Sequence, residues 1–587
     1  MKYMISERNK RIRLLLQYCF TMRVLGRLFS KNNRFALELI RRCHSVEYIS
    51  SQLPDIETTS DNVAEYIMRD FSKWTNKTAL HCFVTGKKYT FDELRINSHN
   101  LSRSLRKILG LKTGDVVAIL LPNSPQFAVC TLGTLLSGLR LTTLNPVYTA
   151  HEIQRQLVDA NVKAIFTINS AVNNVQEALK SAQLKIPIIV VTSTQNESVP
   201  KGLIKYEELV NLKSDSTPLE QLDNDDFWFL PYSSGTTGLP KGVMLTNKNL
   251  TVNIAQYQAF NFMEKTTENF QDVLPLIIPM FHIYGFTMAT ATALQNGVKL
   301  VTLPKFNPND FLHLLKENSP TLLKLAPPLL IFLNTYPDAK AEYLQAIRTV
   351  LCGAAPLGKS DEDKFREKVG KPVNIVQAYG LTETAPFAMS TPLSKQGKFP
   401  GAMGEPTSNT LMKVVKIDDP KNKHIPPNQV GELLIKGPQV MKGYYNKPEE
   451  TKKSITPDGW FRTGDMVRYD ENGMFYIADR IKELIKVKGF QVPPAELEEI
   501  IRNFHGVADA AVIGISHEVS GEIPRAYVVP KHGVKLDPNH LRNFVDEKVA
   551  PYKRLSGGVA IVNEIPKNPS GKILRRILRA NFEKDGI

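Results

Sequence analysis

The sequence predicts an α/β protein: a large domain of helices alternating with buried strands, a β-rich portion behind it, and a small α+β domain at the C-terminal end. Three observations predict this. Up to about residue 405, short apolar runs rich in Val and Ile each follow a polar or helical stretch, the pattern of strands covered on both faces. Beyond it the runs shorten and turn signals crowd in, at Pro426-Pro427, Pro457-Asp458-Gly459 and Glu471-Asn472-Gly473. The chain's 587 residues also exceed what one hydrophobic core serves. With 42% hydrophobic and 22% charged residues, the composition is that of a globular chain and not of a disordered one. Its 37 Pro and 34 Gly are spread out, which excludes collagen-like and low-complexity classes.

Residues 1–46 form a basic extension: eleven basic residues against two acids, +9 of the formal net charge of +16. Arg23, Arg27, Arg34 and Arg41 are spaced to share one helix face, with Leu25, Leu28, Phe29, Ala36, Leu39 and Ile40 mainly opposite. An Arg-rich, acid-poor amphipathic start is the pattern of a mitochondrial transit peptide, so the expected location is mitochondrial. The same pattern also suits a helix that docks on the protein or touches a membrane surface as a peripheral contact. Such a helix would leave a cytoplasmic or peroxisomal location open, although Asp585-Gly586-Ile587 is not a peroxisomal address. Leu14 to Phe20 is too short and polar for a secretory signal.

In the body, Asp115 to Leu121 reads as a buried strand followed by a helix over Gln126 to Ser137. Val162 to Thr167, Ile186 to Val191, Phe227 to Leu230 and Val298 to Leu303 read as further strands. Val273 to Gln295 carries no Asp, Glu, Lys or Arg and is long enough to span a bilayer. Pro275, Pro279 and Gly285 break it, so the expectation is a buried strand to Ile278, a loop to Gly285 and a helix beyond. Cys19, Cys43, Cys82, Cys130 and Cys352 show no close pair and no metal spacing, which points to a reducing compartment.

The chemistry-bearing signal with the densest spacing is Tyr232-Ser-Ser-Gly-Thr-Thr-Gly-Leu-Pro-Lys-Gly242, directly after the Phe227 to Leu230 strand. Glycines 235 and 238 permit close backbone approach. Ser233, Ser234, Thr236 and Thr237 bring hydroxyls, and Lys241 brings fixed positive charge, which together suit a phosphate. Neither a Walker loop nor Gly-x-Gly-x-x-Gly is present. Tyr379-Gly380 offers an aromatic face beside bare backbone, and Thr382-Glu383 offers hard oxygen donors of the kind Mg²⁺ takes. Asp465 is either a turn cap or an acceptor for two hydroxyls, and His282 either a core side chain or a site group.

These residues resemble the motifs of the adenylate-forming enzymes, the superfamily of acyl-CoA synthetases, 4-coumarate–CoA ligases and beetle luciferases. The resemblance runs from about residue 65 to 580 and keeps the family's motif order. The loop above is similar to its phosphate loop, Gln377 to Thr384 to its adenylate motif and Gly459 to Asp465 to its ribose motif. Asp479 to Gln491 is similar to its hinge region, and Pro569-Ser-Gly-Lys572 to its C-terminal lysine motif. The resemblance implies a large adenylation domain over 47–479, with two α/β subdomains and a β-rich one, and a mobile lid over 480–587. It implies nucleotide contacts from Ser233 to Gly238, Lys241, Gln377, Ala378, Tyr379, Gly380, Thr382, Asp465 and Arg480. Thr237 and Glu383 would serve Mg²⁺. His282, Ile283, Tyr284, Gly353, Ala354 and Gly380 would form the acyl pocket, with His282 orienting the carboxylate. Lys572 would stabilise charge during adenylation, Lys482 would be the hinge, and Lys486, Lys488, Gly489 and Gln491 would face the nucleotide and CoA in a second step.

The implied activity is that of an acid–thiol ligase using ATP, Mg²⁺ and coenzyme A on a fatty acid, aryl-propenoate or other hydrophobic acid. An inactive nucleotide-binding relative and a luciferase-like monooxygenase are the competing readings. A nucleic-acid partner is excluded, because the positive charge is not a stripe interleaved with aromatics. The oligomeric state is not legible in the sequence. Removing residues 1–46 is expected to shift the protein from mitochondria to the cytosol; an unchanged location by microscopy or fractionation overturns the transit reading.

Overall fold

The computed structural model describes residues 47–59, 61–194, 197–212, 217–233, 240–354, 357–417, 419–480, 483–487, 490–568 and 571–585. The basic extension, Ser234 to Leu239, Lys482, Lys488, Gly489, Pro569 and Ser570 lie outside the described residues. Among the described residues the strands form five sheets. The first carries parallel strands in the order Phe227–Phe229, Arg140–Thr143, Val116–Ile119, Val162–Ile168, Ile188–Val191 and Ile204–Lys205. Strands Val116–Ile119 and Ile188–Val191 are buried at every position, which is why they read as unbroken apolar runs without alternation. The helix after the first of these, Pro125–Leu136, is likewise buried all round and is capped by Ser124.

A second sheet joins Val273–Leu276, Lys299–Thr302 and Thr78–Cys82 in parallel, with Lys88–Thr90 antiparallel at its edge. A third joins Leu322–Leu325, Thr349–Cys352 and Asn374–Gly380 in parallel, then turns antiparallel through Phe387–Ser390 and Glu405–Pro406. The expected β-rich portion is an antiparallel sheet of Ile49–Ser50, Leu411–Val415, Gly431–Lys436, Phe461–Tyr469 and Phe475–Arg480. Its edge strand at Ile49 makes the first residues after the extension part of the large domain.

The domain boundary needs a correction. Arg480 pairs with Asp465 across the β-rich sheet, so it belongs to the large domain and not to the C-terminal one. The C-terminal domain's own sheet holds Ile485–Val487, Phe490–Val492, Val507–His517, Gly521–Pro530 and Val559–Ile561. Helices Pro494–Arg502, Pro538–Asp546 and Arg575–Asp585 accompany it. Arg575, at the start of the last helix, grips Glu483, Glu498 at 2.6 Å and the Val512 carbonyl at 3.1 Å. This buried fork ties the end of the domain to its first residues.

The uncharged stretch Val273 to Gln295 divides as expected, with one difference in kind. Strand Val273–Leu276 leads into a loop, but Tyr284–Ala291 is a π-helix, and only Thr292–Gln295 is α-helical. The Thr292 amide donates to the Thr287 carbonyl, five residues back. A Cβ on Gly285 would lie 1.9 Å from the Pro279 carbonyl oxygen, so only glycine lets the loop close against the helix start. No helix among the described residues is long and apolar enough to cross a membrane.

Asp272 stitches the second and third sheets together at their strand starts. It is fully buried; one oxygen accepts from Thr321 Oγ1 at 2.6 Å and from Arg348 Nη2 at 2.5 Å, and the other accepts the Glu264 amide at 3.2 Å. Thr321 in turn accepts the Val273 amide at 2.9 Å. Asp272→Ala leaves those donors unmatched, and chemical denaturation is expected to show a loss of about 2–3 kcal/mol. A loss under about 0.5 kcal/mol, the size of an ordinary surface change, would contradict this account.

Candidate active site

A cavity of about 440 Å³ opens where strand ends of the first, third and β-rich sheets meet the C-terminal domain. Its position follows the rule that α/β proteins place ligands outside the carboxyl ends of their strands. Strand Asn374–Gly380 brings Ala378, Tyr379 and Gly380 to the wall, and the 3₁₀ turn Thr382–Thr384 brings Thr382 and Glu383. A Cβ on Gly380 would lie 1.7 Å from the Pro386 carbonyl oxygen, so this hairpin closes only around glycine. Strand Phe461–Tyr469 brings Asp465, which is almost fully buried and accepts from Tyr379 Oη at 2.6 Å. One aromatic face and one carboxylate are thus locked together, a pairing suited to a base and its sugar hydroxyls.

Ser233 and Lys241, the two described residues expected at the phosphates, line the cavity from paired strands. Ser234, Gly235, Thr236, Thr237 and Gly238 lie outside the described residues. Lys241 pairs with Glu450, and its Nζ stands 5.1 Å from the Tyr444 ring centroid. Tyr444 Oη donates to Glu383 Oε1 at 2.9 Å. One tyrosine therefore touches both Lys241 and Glu383. Hydrogen bonds and charge from Lys241 and Lys453 hold the Glu450 carboxyl down to about 2.

His282 sits in the same cavity. Its Nδ1 accepts the Tyr284 amide at 3.2 Å, which fixes the neutral tautomer with the proton on Nε2. Burial pushes the imidazole down to about 4, and the Lys572 ammonium adds to that push. Lys572 reaches the cavity from the C-terminal domain. Its turn is set by Asn568, whose Oδ1 accepts the Lys572 amide at 2.9 Å and whose carbonyl accepts the Gly571 amide at 2.8 Å. A Cβ on Gly571 would lie 3.2 Å from Ala326, so the turn rests closely on the large domain.

The side of the cavity expected to take the acyl group is apolar. Ile283, Tyr284, Gly353, Ala354 and Gly380 all line the cavity, joined by Met288, Leu381 and Pro386. A Cβ on Gly353 would stand 3.6 Å from the Tyr284 hydroxyl, so glycine leaves the space opposite that ring open. The Tyr284 hydroxyl is buried without a hydrogen-bond partner among the described residues.

Two expected site residues lie elsewhere. Gln377 does not line the cavity: its amide is spent on the Leu357 backbone at 3.0 and 3.1 Å and on Glu362 at 3.0 Å. Lys486 is exposed and away from the cavity, on a strand whose amide is held by Glu522 at 2.7 Å. Arg480 and Gln491 are placed by their strands alone. Sequence reasoning missed Tyr444, Glu450, Met288 and Asn568. Tyr444 and Glu450 lie in Gly443-Tyr-Tyr-Asn-Lys-Pro-Glu-Glu450, a turn-rich stretch with no periodicity to single them out. Asn568 could have been found, since it stands just ahead of the lysine motif.

The chain is similar to known proteins in sequence and fold. Residues 68–445 match the family model of AMP-binding enzymes, and residues 496–572 match that of the AMP-binding enzyme C-terminal domain. The chain is 36% identical over 545 residues to the 4-coumarate–CoA ligase CCL1 of Humulus lupulus, covering 92% of this chain and 97% of that one. It is 37% identical over 536 residues to 4-coumarate–CoA ligase 2 of Petroselinum crispum, covering 91% and 96%. Its fold is similar to ATP-bound MatB from Rhodopseudomonas palustris, with a TM-score of 0.78 and 29% identity over 89% of this chain and 99% of that one. A benzoate CoA ligase from Burkholderia xenovorans gives a TM-score of 0.78 at 25% identity, covering 88% and 100%.

The His282 environment has a pH consequence. A free imidazole takes its proton near 6.5, whereas the folded one waits until about 4, so the unfolded chain binds more protons between these values. Stability is therefore full above about pH 6.5 and falls by about 3 kcal/mol on acidification toward 4. Denaturation of wild type and His282→Gln at pH 7 and pH 4.5 should show most of that difference vanishing in the variant. An equal acid loss in both proteins would place the sensitive group elsewhere.

Proposed function

The chain belongs to the AMP-binding enzyme family, and from that premise we propose that it is an acid–CoA ligase for a hydrophobic carboxylic acid. It joins the acid to ATP as an acyl-adenylate, releasing pyrophosphate, and then passes the acyl group to the thiol of coenzyme A, releasing AMP. The observation that carries the reading is Lys572: the C-terminal domain delivers its ammonium into the cavity that holds His282, Glu383 and Asp465.

In the first step a carboxylate oxygen attacks the α-phosphorus, and the bond from that phosphorus to the pyrophosphate oxygen breaks. The substrate is its own nucleophile, so the protein's task is position and charge. Tyr379 and Gly380 flank the base, and Asp465 accepts the ribose hydroxyls. Neutral His282 offers its Nε2 proton to the acid's carboxylate without adding charge. Lys241 and Lys572 meet charge on the phosphates. Glu383 supplies a hard oxygen donor, and no group of three or more His, Cys, Asp or Glu able to hold a metal occurs among the described residues. Were Mg²⁺ bound with the triphosphate, Glu383 and Thr237 would be the residues to hold it, and it would supply positive charge against the phosphates.

In the second step the thiolate attacks the acyl carbon and AMP leaves. The C-terminal domain turns about Lys482, withdraws Lys572 and presents the face of Lys486, Lys488, Gly489 and Gln491. Support for this comes from the present geometry, in which Lys572 is at the cavity and Lys486 is exposed away from it. The apolar walls at Ile283, Tyr284 and Met288 suit an aryl-propenoate or a fatty acid. The unpartnered Tyr284 hydroxyl favours acids that bring a hydrogen-bond acceptor to that depth. The mitochondrial address of the extension is part of the same proposal.

Pyrophosphate release measured over benzoates, cinnamates, hydroxycinnamates and fatty acids, with and without CoA, tests the reaction and names the acid. Lys572→Ala is expected to lower adenylate formation by about 100-fold or more while sparing thioester formation from supplied acyl-adenylate. Equal loss in both half-reactions overturns the division of labour between the two faces.

A further inference from the structure

Lys324 is a lysine that the reaction above does not use. It lies in strand Leu322–Leu325 between leucines and is 3% exposed. Among the described residues no carboxylate forms a salt bridge with it. Its Nζ instead donates to the backbone carbonyl of Met288 and to Thr292 Oγ1 at 3.2 Å, and stands 4.4 Å from the Tyr257 ring centroid. Thr292 Oγ1 donates to the same Met288 carbonyl. Burial alone pushes this ammonium well below the usual lysine range. An ammonium kept from water without an acid partner is a costly choice for a strand that a leucine would fill.

What Lys324 touches gives the reason. Met288 lies in the π-helix Tyr284–Ala291. Tyr284 and Met288, about one π turn apart, both line the acyl side of the cavity. Lys324 and Thr292 grip the helix at the carbonyl of the second of these residues, and the Tyr257 ring closes over the ammonium.

We propose that Lys324 is a positioning residue for the acyl pocket, pinning the π-helix so that Tyr284 and Met288 hold the wall that selects the acid. The proposal rests on the acid–CoA ligase reading and deepens it, since it assigns acid selectivity to a side chain outside the cavity. Releasing the pin lets the helix tighten toward an α turn, which displaces the Met288 side chain and changes the space offered to the acid, while the nucleotide end keeps its contacts.

The test uses Lys324→Met, which keeps length and removes the donor, and Lys324→Gln, which restores one donor. Acid KM, ATP KM and kcat are measured over a size-graded panel of benzoate, cinnamate, 4-coumarate, octanoate and dodecanoate. Lys324→Met is expected to raise the KM of the preferred acid about tenfold and to reorder the panel, with ATP KM within about twofold; Lys324→Gln should recover part of the shift. An unchanged acid order with acid KM within about twofold in folded Lys324→Met overturns the proposal, as does a parallel rise in acid and ATP KM. If Lys324→Met does not fold, Thr292→Val decides by the same readout: a smaller shift in the same direction supports the pin, and an unchanged panel overturns it. A wild type that releases no pyrophosphate with any acid defeats the ligase reading itself. A wild type that turns over while the variants keep its acid order defeats only the role of Lys324.

Discussion

An ammonium carried on one domain has to enter a cavity where another domain has gathered carboxylates, and the rest of the site is arranged around that constraint. Unattended, Glu383, Glu432, Glu450 and Asp465 would draw any cation into whatever geometry lay nearest. Each is instead held by a neighbour on its own domain. Tyr444 holds Glu383 and Tyr379 holds Asp465. Lys241 holds Glu450 and Arg462 holds Glu432. Oriented in this way, the carboxylates act as fixed acceptors, and the geometry of Lys572 is left to its own turn at Asn568. Preorganised charge of this kind needs no rearrangement when the substrate's charge shifts.

The two tyrosines show how the fold supplies this order. Tyr379 and Asp465 come from different sheets, and Tyr444 and Glu383 from a strand edge and a 3₁₀ turn that are 61 residues apart in the chain. A phenol is well suited to the task. Its ring fills apolar space while its hydroxyl reaches the carboxylate, so the acid is desolvated and satisfied by one side chain. The apolar end of the cavity works by the same economy, since a π-helix turns two of its residues toward the acid without a break in the chain.

The architecture, and several of the residues that line the cavity, were legible in the sequence because both are written locally. A buried parallel strand must be an apolar run, and phosphate or ribose contacts require particular residue types at fixed spacings. Gln377 was misplaced because its amide is taken up by Leu357 and Glu362, partners earlier in the chain that the motif alone does not report. Arg480 was assigned to the wrong domain because only the pairing with Asp465 reveals where the large sheet ends. The π-helix was invisible, since eight residues are too few to separate a turn of about 4.4 residues from one of about 3.6. Tyr444 and Lys324 were invisible for a different reason. Their partners lie dozens of residues away, and a tyrosine in a turn-rich stretch or a lysine in a strand has no local pattern to mark it.

Arg575 gives the C-terminal domain a mechanical property. By gripping Glu483 and Glu498 from the last helix, it fastens the domain's far end to the first residues after Lys482. A body clasped at both ends has no backlash. An angular displacement at its root appears undiminished at its rim, where Lys572 and Lys486 are carried. In the turn proposed above, the two lysines are then not independent tools but two teeth on one wheel, so that advancing one retracts the other.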